Sequence, residues 1–357
     1  MCQRVLVLTC RLGVCVCACV RACVRACVRV CVCACVCVRV CLPAQELLAW
    51  AADDGLYAAE VSVKQRTLIE VCEPFPSVTL TPALLLSLLP FLKPRLYSIS
   101  SAPAALPGAI ALTVAVVRHA TSTGREHAGT ASAYLAGCAP GAIVRAFLKG
   151  GPTLRFRAPP PHVPVIFIGP GTGFAPHRAF LQERAAFLAA AAAAADADTS
   201  GTAAAAVVGA LAPAILFFGC RRADTDFIYD DEMRAAVRAG TLTRLETAFS
   251  REDEVCSSES ESGSSSTSSG SSKVRGGARK RYVQHCLADH AVGDEVWALM
   301  QRGGVILVCG DGAGMAPDVR RTLEELGDRC GTQAVECGRD VLKRWTREGR
   351  YLEDVWG

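Results

Sequence analysis

An unbroken apolar run followed by a glycine-rich turn, Val163-Pro164-Val165-Ile166-Phe167-Ile168-Gly169 and then Pro170-Gly171-Thr172-Gly173-Phe174-Ala175-Pro176, constrains this chain more than any other stretch of it. A run without polar alternation predicts a strand buried on both faces, an environment that a parallel sheet flanked by helices provides. Helical spacing follows at Phe180, Leu181 and Phe187, so strand, turn and helix succeed one another as in a βαβ unit. Three further apolar runs, Ala214 to Gly219, Leu245 to Ser250 and Val305 to Gly310, are separated by helix-length segments. Residues 161–357 are therefore expected to form a doubly wound parallel α/β domain.

The texture differs before Pro159-Pro160-Pro161, where the domain boundary is expected. Residues 43–94 read as helical, with Leu47, Leu48, Trp50 and Ala51 at helix spacing and Thr81-Pro82 as a cap and first-turn proline. Residues 95–160 read as strands: Ile110 to Val117 is β-branched, and Phe147-Leu148 and Leu154 to Phe156 are short strands around Gly150-Gly151. That pattern predicts part of an antiparallel barrel. Two low-complexity stretches interrupt the later domain, within 189–206 and 252–279. Ala189 to Ala206 is almost pure alanine, and Ser257 to Ser272 holds eleven serines in sixteen residues. Both are read as surface loops, the second without a packed structure.

Length and composition, 357 residues with 51% hydrophobic and 20% charged, fit two domains with full-sized cores. The net charge of +4 misleads, because six arginines and no acid lie in residues 1–42, and without them the remainder is at −2. No nucleic-acid footprint remains. The twenty cysteines mislead likewise: twelve lie at or before Cys41, and the other eight are scattered with no metal-ligand spacing. The body of the chain thus reads as cytoplasmic, with no metal site. Cys15 to Cys41 repeats Cys-Val and Val-Arg-Ala-Cys units. Arginines at 21, 25 and 29 oppose a membrane span, the lack of serine opposes a transit peptide, and the lack of turn residues opposes a thiol metal site. A translated dinucleotide repeat fits that composition best, and residues 1–42 are expected to be a low-complexity segment that does not fold.

Chemistry-bearing residues gather in four places. In Arg95-Leu96-Tyr97-Ser98-Ile99-Ser100-Ser101, a strand-like geometry puts Arg95 and Tyr97 on one face, about 7 Å apart at roughly 3.3 Å per residue. A cation and a flat ring so placed suit a pyrophosphate and a ring system, though an amphipathic surface strand reads the same way. The turn at Gly169 to Gly173 lets backbone N–H groups approach a phosphate at a helix N-terminus, although its spacing is not GxGxxG. Ser250 and Arg251, with Lys280 and Tyr282, set hydroxyls and cations at a carboxyl strand edge, as a 2′-phosphate requires and a solvated loop also permits. Cys309-Gly310-Asp311-Gly312 closes another strand, and Trp356 sits one residue from the chain end, where it frays unless something flat covers it.

Taken in order, RLYSISS, GTAS, GPGTGFAP, FFGCRR, AFSRE, YVQH, CGDG and DVW make the chain resemble the diflavin reductase family from about Glu46 to Gly357. The resemblance implies a flavin-binding barrel followed by a nicotinamide-binding domain, with FAD and NADPH as cofactors. It implies that Arg95 grips the FAD pyrophosphate beside Leu96, that Tyr97 stacks on the isoalloxazine and that Ser98 sits by flavin N5. Thr113, Val114 and Ala115 would line the flavin, and Gly129, Thr130, Ala131 and Ser132 would close round the pyrophosphate. His119 stands where many relatives place a tyrosine beside the adenine.

In the nucleotide domain the resemblance places Gly171, Thr172 and Gly173 at the NADP pyrophosphate with Arg221 nearby. Ser250, Arg251, Lys280, Tyr282, Gln284 and Asp318 would bind the adenosine end and its 2′-phosphate. Hydride would pass from nicotinamide C4 to flavin N5 beside Ser98, Cys309 and Asp354, with Trp356 as a movable cover over the flavin.

Relatives carry an FMN-binding flavodoxin-like domain and the opening barrel strands before this point, so FMN is expected only on a domain outside this chain. The implied activity is an NADPH-dependent, FAD-containing reductase delivering electrons to a haem or flavodoxin-type acceptor. A fragment that binds NADP(H) without FAD is the alternative. No nucleic-acid partner and no membrane segment are expected.

Overall fold

The computed structural model of the chain describes residues 5–10, 42–75, 81–89, 91–150, 156–197, 211–252, 280–331 and 336–356. The repeat from Cys15 to Cys41, Leu154, residues 198–206 of the alanine run and the serine run at 257–272 lie outside the described residues. Two compact units are present, one of residues 1–9, 98–113 and 149–357, the other of residues 10–97 and 114–148. Val5–Cys10 (β1) pairs with Ile110–Ala115 (β2) in a two-stranded sheet.

The smaller unit begins with Leu42–Ala52 (α1) and Asp54–Tyr57 (α2), where Asp53 caps α2 by accepting from the Gly55 and Leu56 amides at 2.8 and 3.0 Å. Leu68–Cys72 (α3) starts with a capping box between Thr67 and Glu70, and Pro82–Leu88 (α4) starts where the threonine and proline predict. Leu47, Trp50, Tyr57, Val61, Val71 and Phe75 form its core. Trp50 meets Phe75 edge-on at 5.9 Å. Arg118–Ala120 (β3) and Glu126–Ala128 (β4) make an antiparallel ribbon, tied to α3 by Arg125 Nε donating to Glu70 Oε2 at 2.9 Å. Thr130–Gly137 (α5) follows. Phe147-Leu148, expected as a strand, is not one: residues 142–150 lack regular structure and both side chains are exposed. No neighbouring strand among the described residues supplies the ladder that an extended segment needs.

The larger unit is built on five parallel strands, Val165–Ile168 (β5), Ala214–Cys220 (β6), Arg244–Phe249 (β7), Val305–Asp311 (β8) and Tyr351–Trp356 (β9), in the order β7-β6-β5-β8-β9. Phe174–Ala197 (α6), Ala223–Asp226 (α7), Asp230–Arg238 (α8), Val283–Ala288 (α9), His290–Gln301 (α10), Met315–Cys330 (α11) and Gly338–Arg347 (α12) complete it. Successive residues of β5 feed opposite faces, as strand geometry requires. Val165 and Phe167 join Leu216, Phe218 and Leu307 in one core. Ile166 and Ile168 join Ile215, Phe217, Ile306 and Val308 in the other. Each fully buried side chain of this kind contributes about 1.5–3 kcal/mol, so the apolar runs account for the sheet.

Two differences from the sequence reading have simple causes. Ala189 to Ala197 continues α6 rather than opening a loop, because alanine has the highest helix propensity of any residue. The terminal segment expected to fray is instead β9, an edge strand in register with β8, Cys309 opposite Asp354 and Asp311 opposite Trp356.

Candidate functional site

The chain runs outward from β5 through β6 to β7 and then returns to β8 on the other side of β5. The crevice at the carboxyl ends of β5 and β8 is therefore the topological switch point, where open α/β sheets bind ligands. Both glycine-rich turns end there. Gly173 touches the backbone at the carboxyl end of β8 so closely that a Cβ would overlap the Cys309 carbonyl oxygen and lie 3.2 Å from Gly310 Cα. Gly171 has φ of +55°, a left-handed conformation that glycine adopts without strain. Helix α6 begins directly after this turn, and no side chain caps the turn at Pro170. The Gly173 amide is taken by the Pro170 carbonyl at 3.0 Å, which leaves the Gly171 and Thr172 amides of the turn to face a phosphate group.

Charge is concentrated along the neighbouring edge. Arg221, just after β6, holds Asp226 in a two-point pair at 2.9 and 3.0 Å. The Arg251 amide, just after β7, donates to the Arg221 carbonyl at 2.9 Å, so the two loops and their arginines lie together. Ser250 Oγ donates to the Cys220 carbonyl at 3.4 Å. Lys280 and Tyr282 lie exposed at the start of α9, with Tyr282 as its N-cap. Gln284 on α9 donates to Asp318 on α11 at 3.2 Å. Asp311 of the CGDG turn caps α11 by accepting from the Ala313 and Gly314 amides at 3.1 and 2.8 Å. Those amides hold its carboxyl below the usual range.

At the β8–β9 end three sequence-predicted residues come together. Ser98 Oγ donates to Asp354 Oδ2 at 2.7 Å. Cys309 Sγ lies 4.0 Å from the same oxygen and is fully buried. Burial, and then the neighbouring Asp354 charge, push the thiol far up, so it stays protonated at neutral pH. Two residues along β9, Trp356 keeps about half of its surface exposed, while its carbonyl accepts from the Gly312 amide at 2.7 Å. Thr113 is buried and bonds the Tyr229 hydroxyl at 2.9 Å. Ser98 is in extended chain rather than a regular strand, with one isolated antiparallel bridge, Ile99 to Leu112, behind it.

In the smaller unit, Gly129 precedes α5, and no side chain caps that helix. A Cβ on Gly129 would come within 2.6 Å of Ser132 Oγ and 2.9 Å of Val117 Cβ. Ser132 Oγ accepts from the Val117 amide at 3.2 Å and donates to the Gly129 carbonyl at 3.3 Å, so this hydroxyl braces the turn. Thr130 is exposed and Ala131 buried beside it. Arg95 and Leu96 are exposed, with Arg95 Nη1 donating to the Lys93 carbonyl at 3.0 Å. Tyr97 is half-buried, and burial raises its phenol. Val114 is buried and Ala115 partly so. His119 packs at a tilt against His127 across the ribbon, ring centroids 4.9 Å apart, and bonds Gln65 at 2.9 Å.

The α5 turn at Gly129, and separately the Gly171 to Gly173 turn before α6, each suit a phosphate-bearing cofactor. The half-buried Ser98 and Asp354 with the buried Cys309 form a polar trio at the sheet edge that fits a reaction centre. Sequence reasoning missed His177, Arg178, Tyr229 and Glu232. His177 is fully buried among Phe156, Phe167 and Phe180, with Nε2 donating to the Ile168 carbonyl at 3.1 Å. Burial pulls it down to about 4. A polar residue on the apolar face of a helix, one turn after a glycine loop, is the signal that marks His177 and Arg178.

Comparison with known proteins agrees with this division. The FAD binding domain family matches residues 44–134, and the oxidoreductase NAD-binding domain family matches residues 167–321. Bifunctional cytochrome P450/NADPH--P450 reductase 2 of Bacillus subtilis is 34% identical over 314 residues, 87% of this chain and 26% of that protein. Its paralogue, reductase 1, is 35% identical over 88% of this chain and 26% of its own length. Nitric oxide synthase 3 of Sus scrofa is 35% identical over 88% of this chain and 23% of its length. The chain thus spans about a quarter of these relatives.

Proposed function

We propose that the chain is an FAD/NADPH module of the diflavin reductase type, and that it oxidises NADPH and delivers electrons onward to a haem or flavodoxin-type acceptor. The observation that carries this reading is the Ser98–Asp354 hydrogen bond of 2.7 Å beside Cys309, at the switch-point edge of the sheet. When bound, NADPH supplies hydride from its nicotinamide ring and FAD accepts it at N5.

The residues divide the remaining work. The amides of Gly171 and Thr172, with Gly173 closing the turn before α6, would hold the NADP pyrophosphate. Arg221, Ser250, Arg251, Lys280 and Tyr282 supply cations and hydroxyls to the 2′-phosphate, with Gln284 and Asp318 on the adenosine side, which favours NADPH over NADH. Arg95, Tyr97 and the α5 turn at Gly129 to Ser132 hold the FAD, with Leu96, Thr113, Val114 and Ala115 along the flavin and His119 at the adenine. Asp354, fixed by Ser98, favours the positive charge that develops on nicotinamide as hydride leaves. The Cys309 thiol, kept protonated by burial, adds no competing anion. Trp356, half-exposed at the end of β9, would cover the flavin and yield that place to nicotinamide.

Among the described residues no helix is long and apolar enough to cross a membrane and no acidic, histidine or cysteine cluster suits a metal. Cys138, Cys220, Cys286, Cys309, Cys330 and Cys337 are thiols, the state expected in a reducing compartment, and we place the chain in the cytoplasm. A visible absorption spectrum tests the reading. Flavin bands that bleach on anaerobic addition of NADPH support it. Colourless protein that still binds an NADP-agarose column replaces it with an NADP(H)-binding fragment.

A further inference from the structure

The motifs do not explain what holds Ser98 in place. Its segment lacks regular strand pairing, and beyond the Ile99 to Leu112 bridge its backbone is gripped by two side chains of one helix, α6. Arg178 Nη1 donates to the Ser100 carbonyl at 2.7 Å, and Gln182 Oε1 accepts from the Ala102 amide at 2.9 Å. Arg178 and Gln182 are one turn apart on α6, the helix that starts at the glycine turn, so both project from one face. The other two nitrogens of Arg178 fork onto Glu232, Nε to Oε2 at 2.7 Å and Nη2 to Oε1 at 2.9 Å. Its guanidinium also lies 4.6 Å over the Tyr229 ring. Tyr229 in turn bonds Thr113 at 2.9 Å, on the strand that bridges to the Ser98 segment.

Tyr229 has φ of +58° and ψ of 25°, a left-handed backbone that a tyrosine holds only when its surroundings over-determine it. The Arg178 side chain is only 15% exposed, and its plane, fork and stacking leave it one orientation.

We propose that Arg178 is a positioning residue. It fixes the distance between the nucleotide-binding end of α6 and Ser98, and Glu232 and Tyr229 lock its orientation. The role of Ser98 in this statement rests on the function proposed above. A bracket of this kind needs planar, two-sided donation, which lysine cannot reproduce. A misplacement of about 1 Å at a reaction centre costs on the order of 10²-fold in rate.

Arg178→Gln, Arg178→Lys and Tyr229→Phe, each in the full chain, test it with two readouts. The first needs no flavin: amide hydrogen exchange at residues 98–102 is expected to accelerate in Arg178→Gln, less in Tyr229→Phe, with exchange in β5 and β6 unchanged. The second is single-turnover flavin reduction by NADPH, expected to fall about 100-fold in Arg178→Gln, with partial recovery in Arg178→Lys and an NADPH dissociation constant close to wild type. Unchanged exchange at 98–102 in a folded Arg178→Gln overturns the proposal, as does faster exchange spread across the whole sheet. Should Arg178→Gln fail to fold, wild-type exchange and reduction rates in Tyr229→Phe overturn it. A wild-type protein that NADPH does not reduce contradicts the proposed function instead, and the exchange readout still decides whether Arg178 holds the segment.

Discussion

Gly173→Ala tests whether the two turns at the switch point must touch. The new Cβ would overlap the Cys309 carbonyl oxygen and sit 2.9 Å from its carbon, against about 3.5–4.0 Å for carbons in comfortable contact. Neither side yields easily: β8 is paired on both edges, with β5 and β9, and Gly173 is locked into the start of α6 by its amide bond to the Pro170 carbonyl at 3.0 Å. Relief requires the turns to part by about 1 Å, an overpacking cost of about 1–3 kcal/mol. At about 3 °C per kcal/mol for a domain of this size, the melting temperature falls by roughly 3–9 °C. The same parting separates the α6 amides from the Cys309 and Asp354 end, so single-turnover flavin reduction falls by on the order of 10²-fold. Differential scanning calorimetry and stopped-flow absorbance measure the two losses on one preparation. A Gly173→Ala protein with wild-type melting and wild-type reduction rate refutes the close approach, and with it the placement of the two turns in one site.

Asp354→Asn keeps the size of the side chain and removes its charge, so stopped-flow reduction slows about 10–100-fold while NADPH binding weakens little; an unchanged rate removes Asp354 from the chemistry. Trp356→Ala uncovers the position beside Asp354 and raises activity with NADH relative to NADPH; an unaltered ratio of the two in steady-state assays counts against the gate. His177 is neutral in the fold and falls from an ordinary 6.5 to about 4, so the unfolded chain binds the extra proton first as pH drops. Its contribution is intact above about pH 6.5 and is lost progressively down to pH 4, about 3 kcal/mol in total. Urea unfolding of His177→Phe should therefore lose less stability than wild type between pH 7 and pH 4.5, and parallel losses would exclude His177 as the cause.

The central strands β5, β6 and β8 are legible in the sequence because burial on both faces leaves them no polar positions, and the glycine turns are legible because backbone approach admits no other residue. β9 is not, since Tyr351-Leu352-Glu353-Asp354-Val355-Trp356 carries two acids, and only the fold supplies their partners, Arg320 to Glu353 at 2.8 Å and Ser98 to Asp354 at 2.7 Å. Ser98, Cys309 and Asp354 are legible as a group only through their motifs. They are far apart in the chain, and the parallel register of β8 with β9 is what brings the last two together. Arg178 lies in plain sight in the helix after the turn, yet nothing in Ala175-Pro176-His177-Arg178 says that its side chain reaches another segment's carbonyl. Phe147-Leu148 shows the opposite failure: strand-like residues form no strand without a neighbour.

The most direct measurement is an anaerobic titration of the purified full chain, reconstituted with FAD, followed in the visible range. The account predicts flavin bands that bleach stoichiometrically with NADPH and far more slowly with NADH. Flavin bands that dithionite bleaches and NADPH does not would contradict it.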